Sequence, residues 1–154
     1  MHTSEFKKLP RGPALFDTWR WEQSVETALG PLPVEIYCNI DDLPSEAMVN
    51  LASALATFAQ THGPLIFDLV YAHYRYAETN NWLQFWKVPA GLDRSQVLSE
   101  VDSVILNVHP DLFASVHVDP RWDPEHKLCL TFDGTITQIN DAPFLLQDGV
   151  LTML

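Results

Sequence analysis

From Val116 to Gly134 the chain passes through two apolar alternating segments that flank Pro120-Arg121-Trp122-Asp123-Pro124-Glu125-His126, and it closes on Asp133-Gly134. Alternation at period two marks half-buried strands, and Asp-Gly is a strong two-residue hairpin signal. This part of the chain is therefore committed to antiparallel sheet. Between the strands, Pro120 and Pro124 fix the path of a corner. Trp122 is expected to pack over the sheet end, and Asp123 to accept from backbone amides around Glu125 and His126.

The rest of the chain supplies the partners of that sheet. Residues 1–13, with Pro10, Gly12 and Pro13 and few apolar positions, read as a flexible leader. One domain of α+β class is expected over 14–154. Strands are expected over Leu15 to Glu22 and, after the turn residues Gly30-Pro31-Leu32-Pro33, over Val34 to Ile40. Asp41-Asp42-Leu43-Pro44-Ser45-Glu46 carries the residue types of a helix start. Apolar spacing continues the helix to Thr61-His62-Gly63-Pro64, where Gly and Pro predict a stop. A second helix is expected from Leu65 to about Glu78, nearly encircled by apolar residues, and Asp93 caps a short third one through Val101. Val104 to His109, Phe113 to Val118, Leu128 to Phe132 and Thr135 to Ile139 complete a C-terminal meander, with a further turn at Gln147-Asp148-Gly149. Two N-terminal strands plus this meander make an antiparallel sheet with two to three helices packed on one face.

Charge narrows the class of partner. The 154 residues carry 20 acidic and 9 basic side chains, a formal net charge of −11. Such a surface repels nucleic-acid phosphates and acidic membranes; it either maintains solubility alone or suits a basic protein partner. No apolar run approaches the length of a membrane span, and the polar start Met1 to Lys8 lacks the apolar stretch of a secretory signal, so a cytoplasmic location is expected. Cys38 and Cys129 lie far apart in alternating segments and read as buried thiols rather than a disulfide framework.

The reactive residue types form no familiar machine. There is no serine in a glycine-rich elbow, and the six glycines are scattered at turns without a phosphate-binding pattern. His109, His117, Asp119 and His126 could supply imidazole and carboxylate ligands to a metal-dependent hydrolase, but their spacing matches no strong metal motif. The corner reading of Trp122, Asp123, Glu125 and His126 is preferred, with no catalytic residues, no metal and no cofactor. His73, on the apolar side of the second helix, reads as a hydrogen-bonded core histidine. Tyr71, Tyr74 and Tyr76, followed by Trp82, Phe85 and Trp86, form an aromatic set of the kind that anchors protein interfaces.

The order of a strand reaching His109-Pro110, a second strand, then Trp122-Asp123-Pro124-Glu125-His126 and an alternating hairpin resembles a group of uncharacterised bacterial domains. Their common ending is Trp-Asp-x-Glu-His-Gly-Leu-Gly, and many look like immunity proteins encoded beside polymorphic or secreted toxins. The resemblance covers roughly the last two thirds of the chain. Lys127 and Cys129 stand where that pattern has glycines. The resemblance implies a cytosolic, non-enzymatic inhibitor that binds a cognate toxin. Partner contacts are expected from Asp41, Asp42, Glu46, Asp119, Asp123 and Glu125, with Trp82 and Trp86 as anchors and a basic cleft on the toxin as the target. A metal-dependent hydrolase and an adaptor or scaffold subunit are the alternatives.

Overall fold

Alternation in the sequence becomes a sheet whose strands lie side by side in chain order. The computed structural model describes residues 1–11, 15–140, 142–147 and 150–153. Three strands come first: β1 (Phe6–Lys8), β2 (Asp17–Thr27) and β3 (Gly30–Cys38). Helices α1 (Glu46–Thr79), α2 (Leu83–Trp86) and α3 (Arg94–Leu98) follow. Then come β4 (Val101–Val108), β5 (Ala114–Pro120), β6 (Leu128–Phe132), β7 (Ile136–Ile139), β8 (Ala142–Gln147) and β9 (Val150–Met153). Neighbours pair antiparallel except β3 and β4, which are parallel. A parallel pair needs a crossover, and α1 is the long element that makes it. This is an α+β fold with the long helix packed against a mostly antiparallel sheet.

Several expected elements shift for identifiable reasons. Within the expected leader, Phe6 is buried and Phe6–Lys8 pairs with Trp19 to Trp21, so the N-terminal strands number three rather than two. The Gly30-Pro31-Leu32-Pro33 stretch belongs to β3 rather than to a turn. Asp41 does not cap α1. It takes φ 69°, its amide donates to Asp17 Oδ2 at 2.8 Å, and Ser45 Oγ accepts from the Met48 amide instead. The hairpin after Phe132 pairs that residue with Ile136, with Gly134 at φ 73° and the Asp133 amide donating to Thr135 O, so three residues turn the chain rather than two. Asp148 and Gly149 of the last expected turn lie outside the described residues.

The two expected central helices are present and run on from one another across a kink at the expected break, within the single span α1. Pro64 inside α1 brings no amide hydrogen and crowds the carbonyl four residues back, and His62 is thrown to φ −117°, ψ 26°. The helix kinks there and continues. Gly63 sits at the kink against the β2–β3 turn: a Cβ built on it would stand 3.1 Å from both Cβ and N of Ala28, tighter than ordinary contact, so a side chain here would require Ala28 to give way by a few tenths of an ångström.

On the sheet face under α1, Val34, Ile36, Leu106, Val108, Val116, Val118, Leu128 and Leu130 are all buried. The opposite face carries a polar row, in register, of Arg20, Glu35, Asn107, Ser115, Thr131 and Gln138. Arg20 pairs with Glu35. Tyr37, His109, Phe113 and His117 lean over the middle of the row, with ring centroids 5.2 Å (Tyr37–His109), 5.3 Å (His109–Phe113) and 5.9 Å (His109–His117) apart. Burial holds both histidines below their ordinary pKa. Beneath them Asn107 and Ser115 are fully buried, and Ser115 Oγ and Thr131 Oγ1 meet no protein partner among the described residues. A buried hydroxyl without a partner costs stability. Ser115→Ala should therefore raise the urea midpoint, by about 1 kcal/mol of stability; a lower midpoint would show that the hydroxyl is bonded.

Candidate functional site

The site is built around one indole. Trp122, just past the end of β5, is completely buried, and its Nε1 donates at 3.0 Å to Nδ1 of His73, 49 residues earlier on α1. Tyr74 packs edge-on against the same indole, with centroids 5.4 Å apart. An indole nitrogen only donates, so His73 Nδ1 bears the lone pair and the neutral ring carries its hydrogen on Nε2. Burial agrees with that neutral state, pushing the His73 pKa from 6.5 down to about 4.

After Trp122 the chain turns tightly. The Asp123 amide donates to Pro120 O, and the Lys127 amide returns to Asp123 O at 3.0 Å. Asp123 Oδ1 accepts from the His126 amide at 3.4 Å and lies 2.9 Å from His126 Nδ1. The hydrogen bond to Asp123 and its charge raise the His126 pKa above the ordinary value. Lys127 closes the turn at φ 58°, a left-handed conformation that glycine adopts without strain.

Facing this turn is α2. The Tyr74 hydroxyl donates to Pro89 O at 2.6 Å and accepts from the Leu92 amide, and Glu78 Oε1 accepts from the Gly91 amide at 2.6 Å, so the segment after α2 is tied back to α1. Leu83 and Val88 are buried as a result, while Phe85 (77% exposed) and Trp86 (39% exposed) stand outward.

Two hollows meet here. The inner one, about 620 Å³, is lined by His73, Tyr76, Trp82, Asp123, Glu125, His126, Cys129, Ile139 and Asn140. The outer one, about 460 Å³, shares Trp82, Asp123, Glu125 and His126 and adds Phe85 and Trp86. The result is a groove with aromatic walls and a carboxylate edge. Glu125 and His126 are open to solvent at its rim.

Of the eight expected contact residues, four gather at this groove: Trp82, Trp86, Asp123 and Glu125. The others lie elsewhere. Asp41, Asp42 and Glu46 sit where α1 begins, and the kinked helix from Glu46 to His73 lies between them and the groove. Asp41 is also ion-paired with Arg11. Asp119, on the sheet face away from α1, pairs with Lys127 at 3.1 Å. The postulated hydrolase ligands do not converge: His109 and His117 share the open sheet face, and His126 bonds to Asp123. Among the described residues no three His, Cys, Asp or Glu side chains form a metal-holding group. Cys38 is buried, with its thiol pKa pushed up to about 11.

Phe85 and Tyr76 belong to the aromatic set the sequence singled out, though they were not among the expected partner contacts; Trp82, Phe85 and Trp86 fall at helical spacing, which places three rings on one side of a turn. Asn140 had no sequence signal, because only the tertiary fold brings it to the hollow beside Tyr76.

Fold and groove together define an α+β domain that carries an aromatic groove edged by carboxylates. Comparisons with protein-family models, with curated proteins and with solved structures find no match to this chain. No helix among the described residues is long and apolar enough to cross a membrane.

Proposed function

We propose that this chain is a non-enzymatic immunity protein that binds a cognate toxin through the groove between α2 and the Trp122 to Lys127 turn, and so covers a basic cleft on that toxin. The observation that carries the reading is the exposure of Phe85 and Trp86 beside Asp123 and Glu125. Large rings held in the open by a tethered backbone are what interface hot spots are made of. A net charge of −11 steers the encounter with a basic partner. The left-handed Lys127 adds support, since it occupies the position where the similar domains have glycine.

Co-expression with a toxin encoded beside this gene should restore growth. The Phe85→Ala, Trp86→Ala double variant should lose that protection with an unchanged circular dichroism spectrum, because both rings lie outside the core. Failure to protect against any neighbouring toxin overturns the proposal.

A further inference from the structure

Ion pairing within the chain is uneven, and the groove is where it runs out. Among the described residues every Lys and Arg except Lys87 is paired with a carboxylate, and none of those carboxylates is Asp123 or Glu125. Among the same residues Glu125 has no hydrogen-bond or ion-pair partner, and Asp123 is bonded only within its own turn, at Oδ1, by the amide and the 74% exposed imidazole of His126. The adjoining walls are the rings of Trp82, Phe85 and Trp86. Rings attract cations across their faces, and the carboxylates attract the same charge from the edge.

We infer that the groove is an arginine cradle: it takes the guanidinium of one arginine side chain from the protein partner, stacked on the Trp82, Phe85 and Trp86 rings and charge-paired with Asp123 and Glu125. This rests on the toxin-binding reading for the identity of the partner, though not for the chemistry of the groove. Charge complementarity selects a cation, and the planar ring walls select a guanidinium, which stacks on aromatic faces and meets carboxylates in a fixed fork. The chain already uses this packing internally: the Arg94 guanidinium lies over Phe67 and Tyr71, 5.7 and 5.5 Å from their centroids, while pairing with Asp68. Asp123 is held in place by the turn and lines the groove with 8% of its side chain exposed, while Glu125 beside it is open to solvent.

The test uses the intact chain and two blocked tripeptides, glycyl-arginyl-glycine and its citrulline counterpart, which keeps the shape and removes the charge. Indole proton–nitrogen resonances of Trp82 and Trp86 report binding. The arginine peptide should shift both indoles, and the citrulline peptide should bind at least tenfold more weakly. Glu125→Gln should weaken the arginine peptide about fivefold and Trp86→Ala at least tenfold, whereas Asp42→Asn with Glu46→Gln, at the far end of α1, should change nothing. Equal binding of the two peptides, or an equal loss in the remote double variant, overturns the cradle and leaves only a diffuse acidic surface. Arginine binding without protection from a neighbouring toxin removes the toxin reading alone. Protection that persists when the arginine peptide fails to bind removes the cradle alone.

Discussion

Trp122→Ala should destabilise the protein by about 5 kcal/mol, the largest effect expected of a single substitution here. Emptying a fully buried Trp site costs about 3–5 kcal/mol, and the vacated indole would also leave His73 Nδ1 buried without its donor, a further penalty of about 1–3 kcal/mol that partial relaxation offsets. A domain of this size has roughly 5–15 kcal/mol in total, so a large share would be lost. The urea midpoint should fall steeply while the slope of the transition is unchanged. Trp122→Phe keeps a ring and removes the hydrogen bond, and should cost about 2 kcal/mol. Combining it with His73→Leu should recover part of that cost, since both ends of the bond are then apolar. A midpoint unmoved in Trp122→Ala would mean that the indole does not hold α1 to the end of β5.

The second large effect is on pH dependence, through the other end of the same bond. His73 is neutral when folded, with its pKa lowered from 6.5 to about 4 by burial. Between those values the unfolded chain binds the proton that the folded chain refuses. The stability contributed by neutral His73 is therefore complete above about pH 6.5 and is lost as the pH falls toward 4, by about 3 kcal/mol at pH 4. Protonation also takes the Nδ1 lone pair from the Trp122 donor. His109 and His117 are lowered too and act in the same direction, so the His73 part is read by difference. Chemical denaturation at about pH 7 and at about pH 4.5 should show a smaller loss in His73→Gln, whose side-chain oxygen still accepts from the indole. Equal losses in the two proteins would show that His73 titrates freely.

Elements whose order is set by neighbouring residues are legible in the chain itself. Leu128 to Phe132 alternates and is a strand with the expected bounds. Asp93 caps α3 through the amide of Gln96, as its side chain and position predict. Expectation and fold part where a local preference meets a stronger tertiary term. Gly63-Pro64 carries the local chemistry of a helix stop, and helical geometry does break at His62; what the local signal does not say is that the second helix continues directly from the first, because Phe58, Ile66, Leu69 and Val70 on the two sides are buried in one core. Phe6-Lys7-Lys8 has too few apolar residues to announce a strand, yet pairing with β2 and the burial of one ring are enough to place it.

By itself the sequence determined the strand alternation around Trp122, the α+β class and a net acidic charge, because period, turn chemistry and charge are properties of neighbouring residues. Only the tertiary structure decided which acids and rings stand together. Asp41, Asp42 and Glu46 look like Asp123 and Glu125 in one dimension, but the first three lie at the start of α1 and the other two beside His73, past its kink. Trp82, Phe85 and Trp86 reach the turn because Tyr74 and Glu78 tie the following segment to α1, while the indole of Trp122 locks that helix to the sheet. Those contacts span many residues, and their geometry is fixed by packing rather than by anything the local sequence records.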